Sequence, residues 1–155
     1  MWTGASLDGG HSLIQGTLEY IAAQLPNGFH DAEVSSIVVD WGNRRVSFYG
    51  VAWMAREGPP EAYRPFELRA EGLCSFLHPD HIHVGHSVDS PESLLNASVR
   101  VDGFPGWPPE RVPQSPPFSE APAYTFYVYE WNDFITLQAV RAELNWVGPE
   151  RIEQQ

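Results

Sequence analysis

Apolar and polar positions alternate through most of this chain, and a period of two predicts strands. The longest such run is Phe29 to Met54, FHDAEVSSIVVDWGNRRVSFYGVAWM, which reads as a hairpin over residues 30–54. Its turn signal is Gly42-Asn43, a Gly-first pair suited to a two-residue loop because Gly tolerates positive φ. A turn centred there sets Asp40 opposite Arg45, Val39 opposite Val46, Val38 opposite Ser47 and Ile37 opposite Phe48. Ile37, Val39, Val46 and Phe48 then share one face, and Asp40–Arg45 becomes an attractive cross-strand pair worth about 0.2–1 kcal/mol. Ala32 and Val34 have the other parity from Ile37 and Val39, so the first strand needs a bulge at Ser35-Ser36 to keep its apolar face.

The same alternation predicts strands near 65–77, 94–102, 124–131 and 134–147. In the third strand Cys74 falls on the parity of Phe66, Leu68 and Phe76, as a small core residue would. In the last strand Ile135, Leu137 and Ala139 have one parity and Val140, Ala142, Leu144 and Trp146 the other, which predicts a second bulge near Ala139-Val140. Asn132-Asp133 is the turn signal before it. One stretch has helical spacing instead. Leu18, Ile21, Ala22 and Leu25 follow a Ser12/Gln15 capping box and precede Pro26, predicting a short helix near 13–25. Residues 1–11 read as a loose arm. Residues 103–123 hold seven prolines, too many for a central strand, and read as a long loop. The predicted fold is therefore α+β: one domain over 1–155, with an antiparallel twisted sheet of about six strands and one N-terminal helix. The pattern leaves open whether the sheet rolls toward a barrel or a sandwich.

Length supports this, because 155 residues bury enough surface to need no disulfide or metal staple. Charge narrows the partners. Twenty acidic residues against nine basic ones give −11, which argues against phosphate-driven nucleic-acid binding and against an anionic membrane surface, and favours a basic protein partner. Cys74 is the only cysteine, so no internal disulfide forms. The opening MWTGASLDGG lacks a basic start and a continuous apolar run, so no signal peptide is expected and a cytoplasmic protein is the default.

Two clusters could carry chemistry. His78, His81, His83 and His86 lie close together with Asp80, and on an extended chain His81 and His83 point to one face. That spacing suits a divalent metal such as Zn, Mn or Fe, held by His81, His83 and His86; the alternative is a polar loop in which histidines happen to cluster. His30-Asp31-Glu33 could supply a general base, but neighbouring strand residues point to opposite faces, so His30 and Asp31 are not expected to pair. A structural role for Asp31, bonding backbone amides at the strand start, is the simpler expectation. Nucleophile, phosphate-loop and dinucleotide motifs are absent. Tyr127, Tyr129 and Trp131 share a face, read as covered core rather than as an interaction patch.

The stretch Leu25-Pro26-Asn27-Gly28-Phe29-His30-Asp31-Ala32-Glu33-Val34, leading into Ile37-Val38-Val39-Asp40, resembles the opening of small bacterial domains of unknown function. Tyr129-Glu130-Trp131-Asn132-Asp133-Phe134-Ile135 resembles the same group. A His-Asp pair before a long strand and hairpin is also similar to some immunity proteins of bacterial polymorphic-toxin systems. The resemblance covers about half the chain and brings no catalytic residue. It implies a non-enzymatic acidic protein that binds a basic protein. The alternative is a metal-binding protein or metal-dependent enzyme built on the histidines of 78–86.

Overall fold

The computed structural model describes residues 13–55, 61–79, 92–108 and 121–152. Among them are nine strands and one seven-residue helix: β1 (Leu13–Gly16), α1 (Leu18–Gln24), β2 (Ala32–Asp40), β3 (Arg45–Trp53), β4 (Ala62–Leu77), β5 (Glu92–Ser93), β6 (Val99–Pro105), β7 (Ala123–Val128), β8 (Asp133–Trp146) and β9 (Arg151–Ile152). The strands run β8-β7-β6-β2-β3-β4, and β4 pairs back onto β8 from Phe66↔Trp146 to Leu77↔Thr136. The result is a closed six-strand antiparallel barrel, nearly all β. The open α+β sheet predicted from the sequence is thereby corrected.

The closure has a local cause. On β4 the inward residues step from Ala70 to Leu73, and on the paired β8 from Ala139 to Ala142. At that step Gly72 has φ +67°, and a Cβ there would lie 2.8 Å from the Val140 side chain. The register then slips by one residue between Leu73 and Ser75, leaving Cys74 as the extra residue. Both long strands bend at one place, and such bends convert a twisted sheet into a closed one. The parity change predicted near Ala139-Val140 is this bend. Leu73, not Cys74, takes the core position.

The hairpin register is as predicted from Ile37↔Phe48 to Asp40↔Arg45, with the bulge between Val34 and Ser36. Gly50 permits that bulge: a Cβ on it would meet the Glu33 carbonyl oxygen at 2.2 Å. The turn differs in detail. Positive φ falls on Arg44 (+50°) rather than on Gly42. A tertiary contact holds it there, since the Leu73 amide donates to the Arg44 carbonyl (2.9 Å) and Arg44 Nε donates to the Leu73 carbonyl (3.1 Å). Asp40 accepts from the Asn43 side chain (2.9 Å) and amide (3.2 Å). The Asn43 side-chain bond is the main cause that holds the Asp40 carboxyl below its usual range.

The helix is shorter than predicted. Thr17 caps it, accepting from the Tyr20 amide at 3.0 Å, while Gln15 belongs to β1. Residues 13–16 extend because they pair with the far half of β8, at Leu13↔Asn145 through Gly16↔Ala142. Leu18, Ile21 and Leu25 enter the barrel core beside Phe29, Phe48, Phe66, Phe126 and Leu144. The strand predicted at 94–102 is displaced: β6 runs on to Pro105, so Gly103–Pro105 is strand and not loop. Residues 109–120 and the predicted arm 1–11 lie outside the described residues. Outward-facing Thr125, Thr136 and Gln138 are nonetheless buried. Thr125 donates to the Gly106 carbonyl and Gln138 to the Ala121 carbonyl, at the two ends of the proline-rich segment. No helix among the described residues is long and apolar enough to cross a membrane.

Candidate binding surface

Residues between α1 and β2 form successive turns, with amide-to-carbonyl bonds from Gly28 to Leu25, His30 to Asn27 and Ala32 to Phe29. Two anchors fix them. The Asn27 side-chain Nδ2 donates to the Trp53 and Ala55 carbonyls, and the buried Phe29 ring packs against Phe66, Tyr124 and Phe126 at 5.4–6.1 Å. Asp31 then adopts φ +57°, which turns its side chain back toward His30. The strand-parity argument against a His30–Asp31 pair fails for this reason: these residues are in turns. The two side chains lie 3.4 Å apart, and the Asp31 carboxylate meets His30 rather than backbone amides.

Asp102 on β6 joins them. His30 Nδ1 is 3.2 Å from Asp102 Oδ2, and the Tyr129 hydroxyl donates to the same oxygen at 3.3 Å. Tyr127 stands edge-on to Tyr129 at 5.1 Å and donates to the Asn132 side chain. Phe134 backs Tyr127 at 5.3 Å, and Trp53 flanks His30 at 5.8 Å. The cluster is open to water: the side chains of His30, Asp31 and Asp102 are 49%, 37% and 38% exposed, and Tyr129 is 41% exposed. Burial, then the Asp102 charge, pushes the Tyr129 hydroxyl above its ordinary pKa, so it remains a donor at neutral pH. Tyr129 is thus a surface aromatic and Tyr127 a half-buried one, and neither belongs to the core. Trp131 alone of the predicted trio packs against the core, because β7 ends at Val128 and the alternation ends with it.

A carboxylate flanks each ring nitrogen of His30: Asp102 lies within hydrogen-bond reach of Nδ1, and Asp31 lies 3.4 Å from Nε2. Cys74 is half-buried, with its thiol 3.2 Å from the Gly72 carbonyl and Arg44 donating to its sulfur at 3.8 Å. His81, His83 and His86 lie outside the described residues. His78 is described, with Nδ1 2.9 Å from the Pro79 carbonyl. No group of three metal-ligating side chains occurs among the described residues.

The outer face of β3, β4 and β8 contrasts with this cluster. Arg69 bridges Glu67 (3.2 Å) and Glu143 (3.4 Å), while Glu71 lies between Arg45 (3.9 Å) and Arg141 (3.6 Å). Gln15 and Tyr49 donate to Glu143 and Glu67 at its margins. Sequence reasoning singled out His30 and Asp31 but not Asp102, which is 72 residues from His30 and looks like any polar position on an alternating strand. No protein-family model, curated protein or solved structure matches the chain.

Proposed function

We propose that this is a non-enzymatic binding protein that recognises a basic protein partner through the surface around Asp31, Asp102, Tyr127 and Tyr129. One observation carries the reading. Two solvent-open carboxylates, the exposed Tyr129 and the half-buried Tyr127 converge on a barrel face, beside a single imidazole, in a chain of net charge −11. Tyrosine is enriched at protein interfaces because it offers apolar area with a polar tip, and acidic surfaces speed encounter with basic partners. The resemblance of the His30-Asp31 opening to immunity proteins supports the same reading, with a basic toxin domain as the kind of partner.

The test is affinity capture on the immobilised full chain, followed by calorimetry with each purified basic protein retained. The expected result is a partner whose affinity falls at least tenfold for Asp31→Asn/Asp102→Asn and weakens as salt rises. Retained proteins that bind the double variant as tightly as the natural chain would overturn the reading, as would retention of no basic protein.

A further inference from the structure

The β7–β8 turn, residues 129–132, joins the tyrosine–aspartate cluster to a pocket of about 240 Å³ lined by Leu94, Leu95, Val99, Glu130 and Trp131. Its floor is apolar: Leu94 and Val99 are buried, and Leu95 and Trp131 pack against the core. Glu130, the one carboxylate on its rim, is fixed. The Tyr129 amide donates to the Arg100 carbonyl (3.0 Å) and the Arg100 amide to the Glu130 carboxylate (2.8 Å), which ties the turn to β6 on both sides. A pocket made in advance spares the ordering cost of binding. Its volume lies below the roughly 300–1,000 Å³ of small-molecule sites, whereas an apolar cavity of about 150 Å³ already accepts a benzene ring. It has room for one large side chain.

We infer that this pocket is the anchor point for one large apolar side chain of the basic partner, flanked in that partner by Lys or Arg residues that reach Glu130 and Asp102. The inference rests on the basic-partner reading above. A central apolar anchor inside a polar rim is how binding energy concentrates in protein interfaces. Charge selects the occupant. The rim carries the Glu130 carboxylate and no basic side chain in a chain of net charge −11, so a second copy of this chain meets like charge, whereas a basic partner meets opposite charge.

Amide NMR spectra of the full chain, titrated with three capped tripeptides, test this. The probes are Arg-Phe-Arg, Arg-Gly-Arg and Gly-Phe-Gly. The expected result is that Arg-Phe-Arg shifts Leu95, Val99 and Trp131 and binds at least tenfold more tightly than either other peptide. Two variants at exposed rim positions complete it: Ser98→Trp, which fills the pocket, and Ala97→Arg, which places a cation on its rim. Both should reduce Arg-Phe-Arg to the Arg-Gly-Arg level, with shifts left only at Asp102 and Tyr129. Equal binding of the two arginine peptides would overturn the anchor while the basic-partner reading stands. Equal binding of the two phenylalanine peptides would overturn the basic flanks. Shifts in neither region would overturn the anchor and the basic-partner reading together. Concentration-dependent shifts at the pocket without peptide would replace the partner with a second copy of this chain.

Discussion

On the outer face of β3, β4 and β8, Glu67, Glu71 and Glu143 each lie within 3.9 Å of a guanidinium. Around the start of β2 and the β7–β8 turn, Asp31 and Asp102 flank one imidazole, and Asp102 also accepts from the Tyr129 hydroxyl. The two regions sit on the same barrel and differ in what their carboxylates still have to offer. Burial alone would lower the Arg69 pKa, yet Glu67, Glu143 and Glu71 together hold it above its ordinary value; the pairing is not complete, since buried Arg45 Nε and Arg69 Nε have no hydrogen-bond partner. A partner docking there would have to compete with internal ion pairs. At the aspartate cluster two exposed carboxylates face one imidazole and one neutral hydroxyl, so an incoming guanidinium meets surplus negative charge.

The sharpest way to break the contrast is to remove the platform under one side. Phe29 is 2% exposed and packs on Phe66, Tyr124 and Phe126 directly beneath His30 and Asp31. Phe29→Ala should cost about 3–5 kcal/mol in denaturant unfolding, the usual range for emptying a buried aromatic site. Partner binding should fall with it, whereas the Arg69 lattice, built on other strands, should keep its ion pairs in whatever fraction remains folded. A loss below about 1 kcal/mol would mean that the turns around Phe29 hold without their anchor.

A smaller effect separates the two regions by chemistry. Arg69→Ala removes two ion pairs and the packing of a long stem, and should cost roughly 1 kcal/mol, less at high salt. Asp102→Asn should change stability by no more than about 0.5 kcal/mol, as exposed substitutions usually do, yet should weaken partner binding. Arg69→Ala should leave binding unchanged. The opposite assignment, binding lost with Arg69 and stability lost with Asp102, would reverse the roles given to the two faces.

The parts of this molecule that were legible in the sequence are those set by neighbours along the chain. Gly42-Asn43 and the alternation around it fixed four cross-strand pairs, and the parity change at Ser35-Ser36 located a bulge. Barrel closure was not legible, because it depends on Gly72 and Val140 bending two strands together, and neither residue announces its partner. The surface was half legible. His30-Asp31 stands out in the sequence, but a period of two describes strand residues and these two lie in turns, so alternation hides their pairing. Asp102 carries no local signal, since only the fold brings it to His30.

The smallest effect tests the aspartate cluster from beneath and from outside. Tyr124 is 3% exposed, and burial raises its pKa strongly, with Asp102 and Glu19 adding to the shift. Tyr129 is raised as well, by burial first and Asp102 second, but from the surface. A tyrosine whose pKa is higher in the folded than in the unfolded chain contributes stability that is fully present below about pH 10 and lost as pH rises above it. Unfolding free energy should therefore stay level into mild alkali and fall beyond about pH 10. In Asp102→Asn, ultraviolet absorbance titration should show one exposed tyrosine ionising at lower pH than in the natural chain, because its neighbouring charge is gone. Tyr124 has burial as its main cause and should ionise last in both proteins. Superimposable titrations of the two would show that the Tyr129–Asp102 contact does not persist in solution, and the aspartate cluster would lose the one neutral donor that orders it.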